Sequence, residues 1–488
     1  MTEPMVYIVG AGVGRIQDLT LKAKNTIETA DIIFFDRLVN PNLLLLTQPT
    51  CQLIDVGKKP GDHRMTQQQI NQAMIDASQQ YQTVVRLKSG DPYVFGRGGE
   101  EAIELGKAGI KFEIVAGISS PIAGLMYAGI PITYRGHALD FHIFTSHSQK
   151  GEVLFDWDAM VKLGGTLVFM MGVKSLPTIV ESLIESGKAK ETPIAIIEWA
   201  SRAGQKTLTS TLGEIQAHPE LVHVKPPSVI AVGEVVKFRD YLNFFEEKPL
   251  FGQRIAIPQT QTHQLLAQLE AQGAEVVLYE SLVEESNVIT QETLNSAKLI
   301  VFTDLTAIDQ YIQWMIKQQV DWRTNPDVHY ISVGNHVQSR LQSYGIAAQV
   351  HYEAVDHFVE HYKESVGMFI LGKHYVKQQM LEQGWEFDLA EFIVTSQESK
   401  RLLTNHQALL EADVLIFPNE RSVRSFSAYL EESELLCDQF LQKQTIVLGN
   451  RAYGALSTLD FQHIKQTVEP NFNSLLTLLI ENHKGEEG

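Results

Sequence analysis

The residues best suited to chemistry crowd into RLKSGDPYVFGRGGEE, positions 86–101. A strand-like run ends there in a Gly-Asp-Pro turn, Arg97 stands between glycines, and Glu100 and Glu101 suit the first turn of a helix. Gly90 gives the backbone conformations closed to other residues, Asp91 can accept from hydroxyls or amides, and Arg97 offers a planar fork for a carboxylate. Few purely structural roles need so dense a set of turn and charge features. A second glycine-rich turn, VGAGVGR at 9–15, follows the apolar run VYIVG and precedes a helix-like stretch from Leu19 to Thr29. Next comes DIIFF, followed by Asp36, about where a dinucleotide fold places its ribose-binding acid. The spacing rejects a nicotinamide site. Gly10, Gly12 and Gly14 give G-x-G-x-G rather than G-x-G-x-x-G, and Arg15 follows where a small residue would open a close-packed helix. Taken alone, this turn also fits a tight strand-to-helix connection that binds nothing.

These residues need a frame to hold them. The first half alternates strand-like runs (VYIVG, DIIFF, TVVRL, FHIFTS, TLVFMMG, PIAIIEW, SVIAVG) with helical stretches, which predicts an α/β fold. SVIAVGEVV reads as a last strand, KFRDYLNFF as a closing amphipathic segment and RIAIP as a new start, so a boundary near Lys248 divides the chain into domains 1–247 and 248–488. The second half carries an internal echo. AKLIVFTDLTAIDQYIQWM parallels ADVLIFPNERSVRSFSAYL, and HYISVGNHVQSRL parallels TIVLGNRAYGAL, which predicts two similar α/β lobes facing a cleft.

With 488 residues, 44% of them apolar, the chain has room for several buried cores. Its net charge is −18, and 248–488 supply most of it, with 17 basic against 31 acidic residues. Such a surface argues against general nucleic-acid binding. Cys51 and Cys437 are the only cysteines and stand far apart, which leaves no disulfide framework or zinc-site spacing. The start, MTEPMVYIVG, lacks the basic flank and long apolar core of a signal peptide, and no run approaches the roughly 18 apolar residues of a membrane span. A soluble protein of the reducing cytoplasm is expected, with neither membrane nor nucleic acid as a partner.

With GAGVG near the start, FFDRLV at 34–39, VGKK at 56–59, RLKSGDPYVFGRGGEE, AGISSPIAGLMYAGIPITYR at 116–135 and TLVFMMG at 166–172, residues 1–245 closely resemble the uroporphyrinogen-III C-methyltransferases of the tetrapyrrole methylase family. The resemblance implies a two-lobed α/β methylase fold distinct from the Rossmann methyltransferases. It also implies S-adenosyl-L-methionine as methyl-donor cosubstrate, no metal, and a homodimer through the methylase domain. The implied reaction is two methylations of uroporphyrinogen III, to precorrin-1 and then precorrin-2, on the route to sirohaem and cobalamin; a later corrin intermediate is the alternative substrate.

By the same resemblance the donor lies along Val13, Ser89, Gly90, Asp91, Val94, Ser119, Ser120, Met171 and Ala200, while Asp36 matches the family's proton acceptor and Lys58 its proton donor. A carboxylate is a feeble base at neutral pH, so Asp36 would chiefly hold pyrrole N–H groups and stabilise the cation formed on methylation. Read in isolation, Asp36 also fits a helix cap and Lys58 a surface lysine. The substrate's carboxylates call for a cationic rim, for which Arg37, Arg97 and Arg135 are the candidates, with Lys59, Arg64 and His137 on matching loops. His147 reads as loop structure or rim. Departures from the usual pattern are Val13 for proline, Arg15 for aspartate, Ser89 and Ala200 for glycine, and Ser146 where Thr-Gly-His is common.

In 248–488 the domain order and two-lobed pattern resemble uroporphyrinogen-III synthase, which closes hydroxymethylbilane with inversion of its last ring. The turns FTDLTAI at 302–308 and FPNERSV at 417–423 depart from that family's Thr-Ser turn, and Asp304 puts an unhelpful charge near an acidic substrate. Arg421, Arg424, Lys373 and Lys377 are the cations available to offset it. A non-catalytic binding or tethering module is the alternative, and no catalytic residue is assigned in this half.

Overall fold

The computed structural model describes residues 3–48, 50–57, 65–146, 155–259, 264–279, 283–285, 297–319, 327–362, 367–385, 390–399, 406–432 and 437–486. Lys58, Lys59, Arg64 and His147 lie outside the described residues.

The first sheet contains β1 (Met5–Gly10), β2 (Ile32–Phe35), β3 (Gln52–Asp55), β4 (Thr83–Lys88) and β5 (Phe112–Val115), all parallel in the order β3-β2-β4-β1-β5. Its central strands are almost continuously apolar because helices cover both faces. Val6, Ile8 and Val84 pack with Ile70, Met74 and Leu105 on one side, and Val9, Val85 and Leu87 with Ala23 and Ile27 on the other. This strand order is not that of a dinucleotide fold. Nor does a helix open at the glycine turn: a 3-10 turn at Ile16–Asp18 intervenes, and α1 (Leu21–Glu28) begins after Thr20, whose side chain accepts from Ala23 N.

The second sheet is mixed. β6 (Phe141–Thr145), β7 (Thr166–Met170), β8 (Pro193–Glu198), β9 (Lys206–Thr211) and β10 (Ser228–Val232) lie in the order β6-β7-β10-β8-β9, with only β6 and β7 parallel.

Downstream, β11 (Arg254–Pro258) and β12 (Glu275–Tyr279) start a third sheet. The chain then builds a fourth from β13 (Val283–Glu285), β14 (Leu299–Phe302), β15 (His329–Val333), β16 (Val350–Tyr352), β17 (Met368–Lys373) and β18 (Ala390–Ser399). It returns to the third with β19 (Val414–Phe417), β20 (Gln444–Val447) and β21 (His463–Gln466). Two compact units result: Met1–Ser281 with Leu403–Gly488, holding three sheets, and Leu282–Leu402, holding the fourth. The third sheet runs β12-β11-β19-β20-β21, and the fourth contains β18-β17-β14-β15-β16, the same spatial arrangement reached in a different chain order. The echoed segments, which contain β14-β15 and β19-β20, occupy equivalent places in the two sheets, and β16 and β21 follow them at the corresponding edges. The departing turns have a local reason. Asp304 caps the helix Leu305–Gln318 by accepting from Ala307 N at 3.2 Å, and Asn419 accepts from Ser422 N at 2.9 Å. Arg424 pairs with Glu420 one turn away.

Within the first unit, the third sheet is fastened to the loops of the first two. Leu45 shares a core with Ile255, Leu269 and Val276. Asn42 caps the edge strand β12, its amide donating to Val276 O at 2.5 Å and accepting from Leu278 N at 3.0 Å. Arg15, buried, donates to Glu270 O at 2.8 Å and lies 5.2 Å from the Phe245 ring centre. An aspartate at this position could not donate to Glu270 O and would set a like charge beside the buried Glu270 carboxyl, so arginine has a physical role here. Arg202 grips Glu275 through Nε and Nη2 at 2.8 and 2.5 Å. Burial pushes the Glu275 carboxyl up, but Arg202, Arg254 and the Ala203 N–H outweigh it and hold the group below its ordinary value.

Glu270 behaves oppositely. Burial pushes its carboxyl up to about 7, Arg15 opposes this, Asp18 and Glu275 add to it, and Oε2 has no hydrogen-bond partner among the described residues. Between the ordinary 4.5 and about 7 the folded chain therefore holds a proton that the unfolded chain releases, so stability from this group is present below pH 4.5 and lost as pH rises through 7. Glu270→Gln is expected to match the parent near pH 4.5 and to exceed it by on the order of 1–3 kcal/mol at pH 8 in denaturant titrations. A gap independent of pH would contradict this.

Candidate active site at the strand ends

All the first sheet's strands point their carboxyl ends at one rim, where open parallel sheets bind ligands. Three turns meet there. Gly12 and Gly90 exchange backbone hydrogen bonds at 3.2 and 2.8 Å, joining the glycine turn after β1 to the Gly-Asp-Pro turn after β4. Gly117, after β5, comes closer still: a Cβ on it would lie 2.2 Å from Gly90 O, and one on Gly10 would lie 2.6 Å from Gly117 Cα. No side chain fits at either place, so the sequence must carry glycine for the backbones to touch.

Asp91 locks this meeting in place. Its Oδ1 accepts from Tyr93 N at 2.9 Å and its Oδ2 from Gly117 N at 3.2 Å, so the carboxylate serves the turns themselves. Ser119 begins the helix α2, here Ser120–Tyr127, and the backbone of Ser119 and Ser120 runs beside Gly90. From the second sheet, Ala200 sits against Gly124 of that helix, and Ser201 Oγ donates to Val13 O at 2.8 Å. Val13, Gly90, Asp91, Ser119, Ser120 and Ala200 are therefore brought together around one cradle. Ser89 is exposed at the end of β4, and Val94 N closes a turn onto Asp91 O at 3.3 Å.

Met171 belongs to a neighbouring groove lined by Tyr93, Phe95, Arg97, Glu100 and Thr145, which runs from the first sheet's loops to the ends of β6 and β7. Seven non-glycine residues adopt positive φ among the described residues; Phe95, Arg97, Met171, Trp199 and Ser201 lie on these turns, while Gln319 and Asp460 lie in the downstream part of the chain. Such strained backbone gathers where surrounding structure over-determines it.

Asp36 follows β2 on the same rim. It caps no helix: Asn40 does so for the 3-10 helix Pro41–Leu46. Asp36 Oδ1 accepts from Arg86 Nη2 at 2.6 Å, its carboxylate is 35% exposed, and Oδ2 makes no hydrogen bond among the described residues. Arg86 is held from behind by Glu101 at 3.1 Å, which also takes Lys88 at 3.0 Å and Gln67 at 3.0 Å. Glu101 is fully buried, and the formal charges of Asp36, Arg86, Lys88 and Glu101 cancel. Burial and the neighbouring Arg86 lower the Lys88 ammonium from its ordinary value, with Glu101 and Asp36 opposing. The sequence reading assigned none of Arg86, Lys88 or Glu101 to this network. The signal was there: R-x-K puts two cations on one face of a buried strand, which demands an acid opposite.

The rim cations differ in availability. Arg37 and Arg135 are exposed, whereas Arg97 already grips Glu100 at 3.1 and 2.7 Å. Its fork is engaged within the chain instead of standing open for a ligand. No helix of the described residues is long and apolar enough to cross a membrane.

The model of the tetrapyrrole (corrin/porphyrin) methylases matches residues 5–216, which contain the cradle and Asp36. A uroporphyrinogen-III C-methyltransferase of Bacillus subtilis (strain 168) is 38% identical over 333 residues, 66% of this chain and 68% of that protein. The porphyrin biosynthesis protein HemD of Ruminiclostridium josui is 32% identical over 365 residues, 73% of this chain and 72% of that protein. An S-adenosyl-L-methionine-dependent uroporphyrinogen III methyltransferase of Methanosarcina barkeri (strain Fusaro / DSM 804) is 44% identical over 239 residues, 49% of this chain and 94% of that protein. Among solved structures, the uroporphyrin-III C-methyl transferase of Thermus thermophilus complexed with S-adenyl homocysteine is 35% identical and covers 48% of this chain and 99% of its own, with a TM-score of 0.42. With 38% and 32% identity to two proteins of which it covers 68% and 72%, and with the family model over 5–216, the chain belongs to the tetrapyrrole methylases.

Proposed function

We propose that this chain transfers methyl groups from S-adenosyl-L-methionine to two carbon atoms of uroporphyrinogen III, giving precorrin-2. The observation that carries the reading is the convergence of three glycine backbones beside an acid whose outer oxygen is unpaired among the described residues. The backbone contacts among Gly10, Gly90 and Gly117 draw the turns after β1, β4 and β5 together on one rim, where Val13, Ser89, Gly90, Asp91, Val94, Ser119, Ser120, Met171 and Ala200 would hold the donor. When bound, the donor supplies an electrophilic sulfonium methyl. The tetrapyrrole carbon is itself electron-rich, so the chain's main task is alignment, which can supply much of the barrier reduction.

In this reading Arg86 fixes one oxygen of Asp36 and leaves the other to accept from pyrrole N–H groups and to balance the positive charge that methylation creates. Arg37 and Arg135 meet the peripheral carboxylates, and Arg97 exchanges Glu100 for a substrate carboxylate. Lys58 is the expected proton donor by resemblance. Anaerobic incubation of the full chain with uroporphyrinogen III and S-adenosylmethionine tests the reading. Product heavier by two methyl groups is expected, and an unmodified tetrapyrrole would contradict it.

A second reading concerns 248–488, which we infer to be a synthase-like half that closes hydroxymethylbilane. The shared strand arrangement of the third and fourth sheets and the long alignment with the Ruminiclostridium josui protein support it. Supplied with hydroxymethylbilane, the chain is expected to yield isomer III; isomer I alone, the spontaneous product, would favour a binding or tethering module.

Two substitutions separate the parts of the methylase reading. Asp36→Asn is expected to lower the methylation rate by about 100-fold or more while S-adenosylhomocysteine binding is retained; full turnover would remove Asp36 from the chemistry. Gly117→Ala forces a Cβ to 2.2 Å from Gly90 O, so the turns must part. A loss of about 1–3 kcal/mol in stability with weakened donor binding is expected, and a variant that binds the donor like the parent would contradict the cradle.

A further inference from the structure

The turns that line the cradle are gripped from outside by the third sheet. Glu275, the first residue of β12, spends one oxygen on the Arg202 guanidinium at 2.8 and 2.5 Å and the other on Ala203 N at 2.8 Å. One buried carboxylate thus holds both the side chain and the backbone of the turn after β8. That turn reaches back to the donor-lining residues: Ser201 Oγ donates to Val13 O at 2.8 Å, and the Arg202 side chain crosses Gly14, where a Cβ would lie 3.2 Å from Arg202 Cδ. On the other side of the glycine turn, Arg15 is anchored to Glu270 O at 2.8 Å. Asn40 donates to Gly14 O, and Asn42, two residues on, is clamped to β12.

We propose that the third sheet is a working part of the methyl-donor site, in which Arg202 and Arg15 act as positioning residues that hold the glycine turn and the Trp199–Arg202 turn in register. The inference rests on the donor site proposed above. Trp199 and Ser201 have φ of 47° and 70°, conformations that side chains resist and that need outside support. The supporting group is a carboxylate with a two-point contact, whose direction is fixed as well as its distance. Val13 and Ala200 lie on the two supported turns, so loosening the grip shifts both sides of the cradle without touching a donor-lining side chain.

The test is calorimetric titration of S-adenosylhomocysteine into the full chain, comparing the parent with Glu275→Gln, Arg202→Lys and Glu420→Ala. Glu275→Gln removes the charge but keeps an acceptor for Ala203 N, and Arg202→Lys keeps the charge but loses the fork. Glu420 pairs with Arg424 at the surface and contacts neither Glu275 nor Arg202, so its variant is the control. Affinity is expected to fall by about tenfold in Glu275→Gln and less in Arg202→Lys, with Glu420→Ala like the parent. The KM for S-adenosylmethionine should rise by the same factors while the KM for the tetrapyrrole stays constant. Should Glu275→Gln fail to fold, the milder Arg202→Lys carries the comparison. Variants that melt lower yet bind the donor as tightly as the parent would overturn the proposal and leave the bridges purely structural. A parent that does not bind would instead remove the donor site itself, and the positioning role with it.

Discussion

Backbone touching backbone at Gly10, Gly90 and Gly117 is the constraint from which the site follows. The first sheet brings β1, β4 and β5 side by side, and their turns can approach so closely because Gly10 and Gly117 carry no Cβ, while Gly90 supplies a φ of 70°. Once they meet, Asp91 is committed to tying them, Ser119 and Ser120 are placed beside Gly90, and Asp36 is set on the same rim. Position here is imposed by sterics and then fastened by hydrogen bonds, which suits a reaction governed by alignment.

Charge follows the same logic of commitment. Glu101 is buried where only a pair of cations makes an ionised carboxylate tolerable, and Arg86 passes that anchoring on to Asp36. At the third sheet, Glu275 and Arg202 repeat the arrangement on the opposite side of the cradle. The third sheet is therefore joined to the turns of the first two by specific polar contacts, beyond the continuity of the chain. Arg15, which in sequence is only a departure from a pattern, is one of those contacts.

The central strands are legible because strands covered on both faces read as apolar runs: β1, β2, β4, β7, β8 and β10 coincide to within two residues with VYIVG, DIIFF, TVVRL, TLVFMMG, PIAIIEW and SVIAVG. The edge strands β3, β5 and β9 are not, since QLID, FEIV and KTLTST carry the mixed polarity of half-solvated edges. The echo in the second half covers the repeated β14-β15 and β19-β20 segments. It could not show that the fourth sheet is inserted between β12 and β19, because periodicity reports strands and not their partners. At the site, glycines and Asp36 stood out by motif. Asp91 and Arg97 looked ready for ligands, yet their partners, Gly117 N and Glu100, occupy them. Arg202 and Glu275 had no sequence signal at all, as a long-range ion pair leaves none in either local pattern.

The most direct test is a crystal structure of the full chain with S-adenosylhomocysteine. The account predicts the ligand against the Gly10, Gly90 and Gly117 backbones, covered by the Ala200 turn, with the free oxygen of Asp36 facing the open side where the transferred methyl would leave. A ligand bound elsewhere on the chain, or one that requires the three glycine turns to separate, would contradict it.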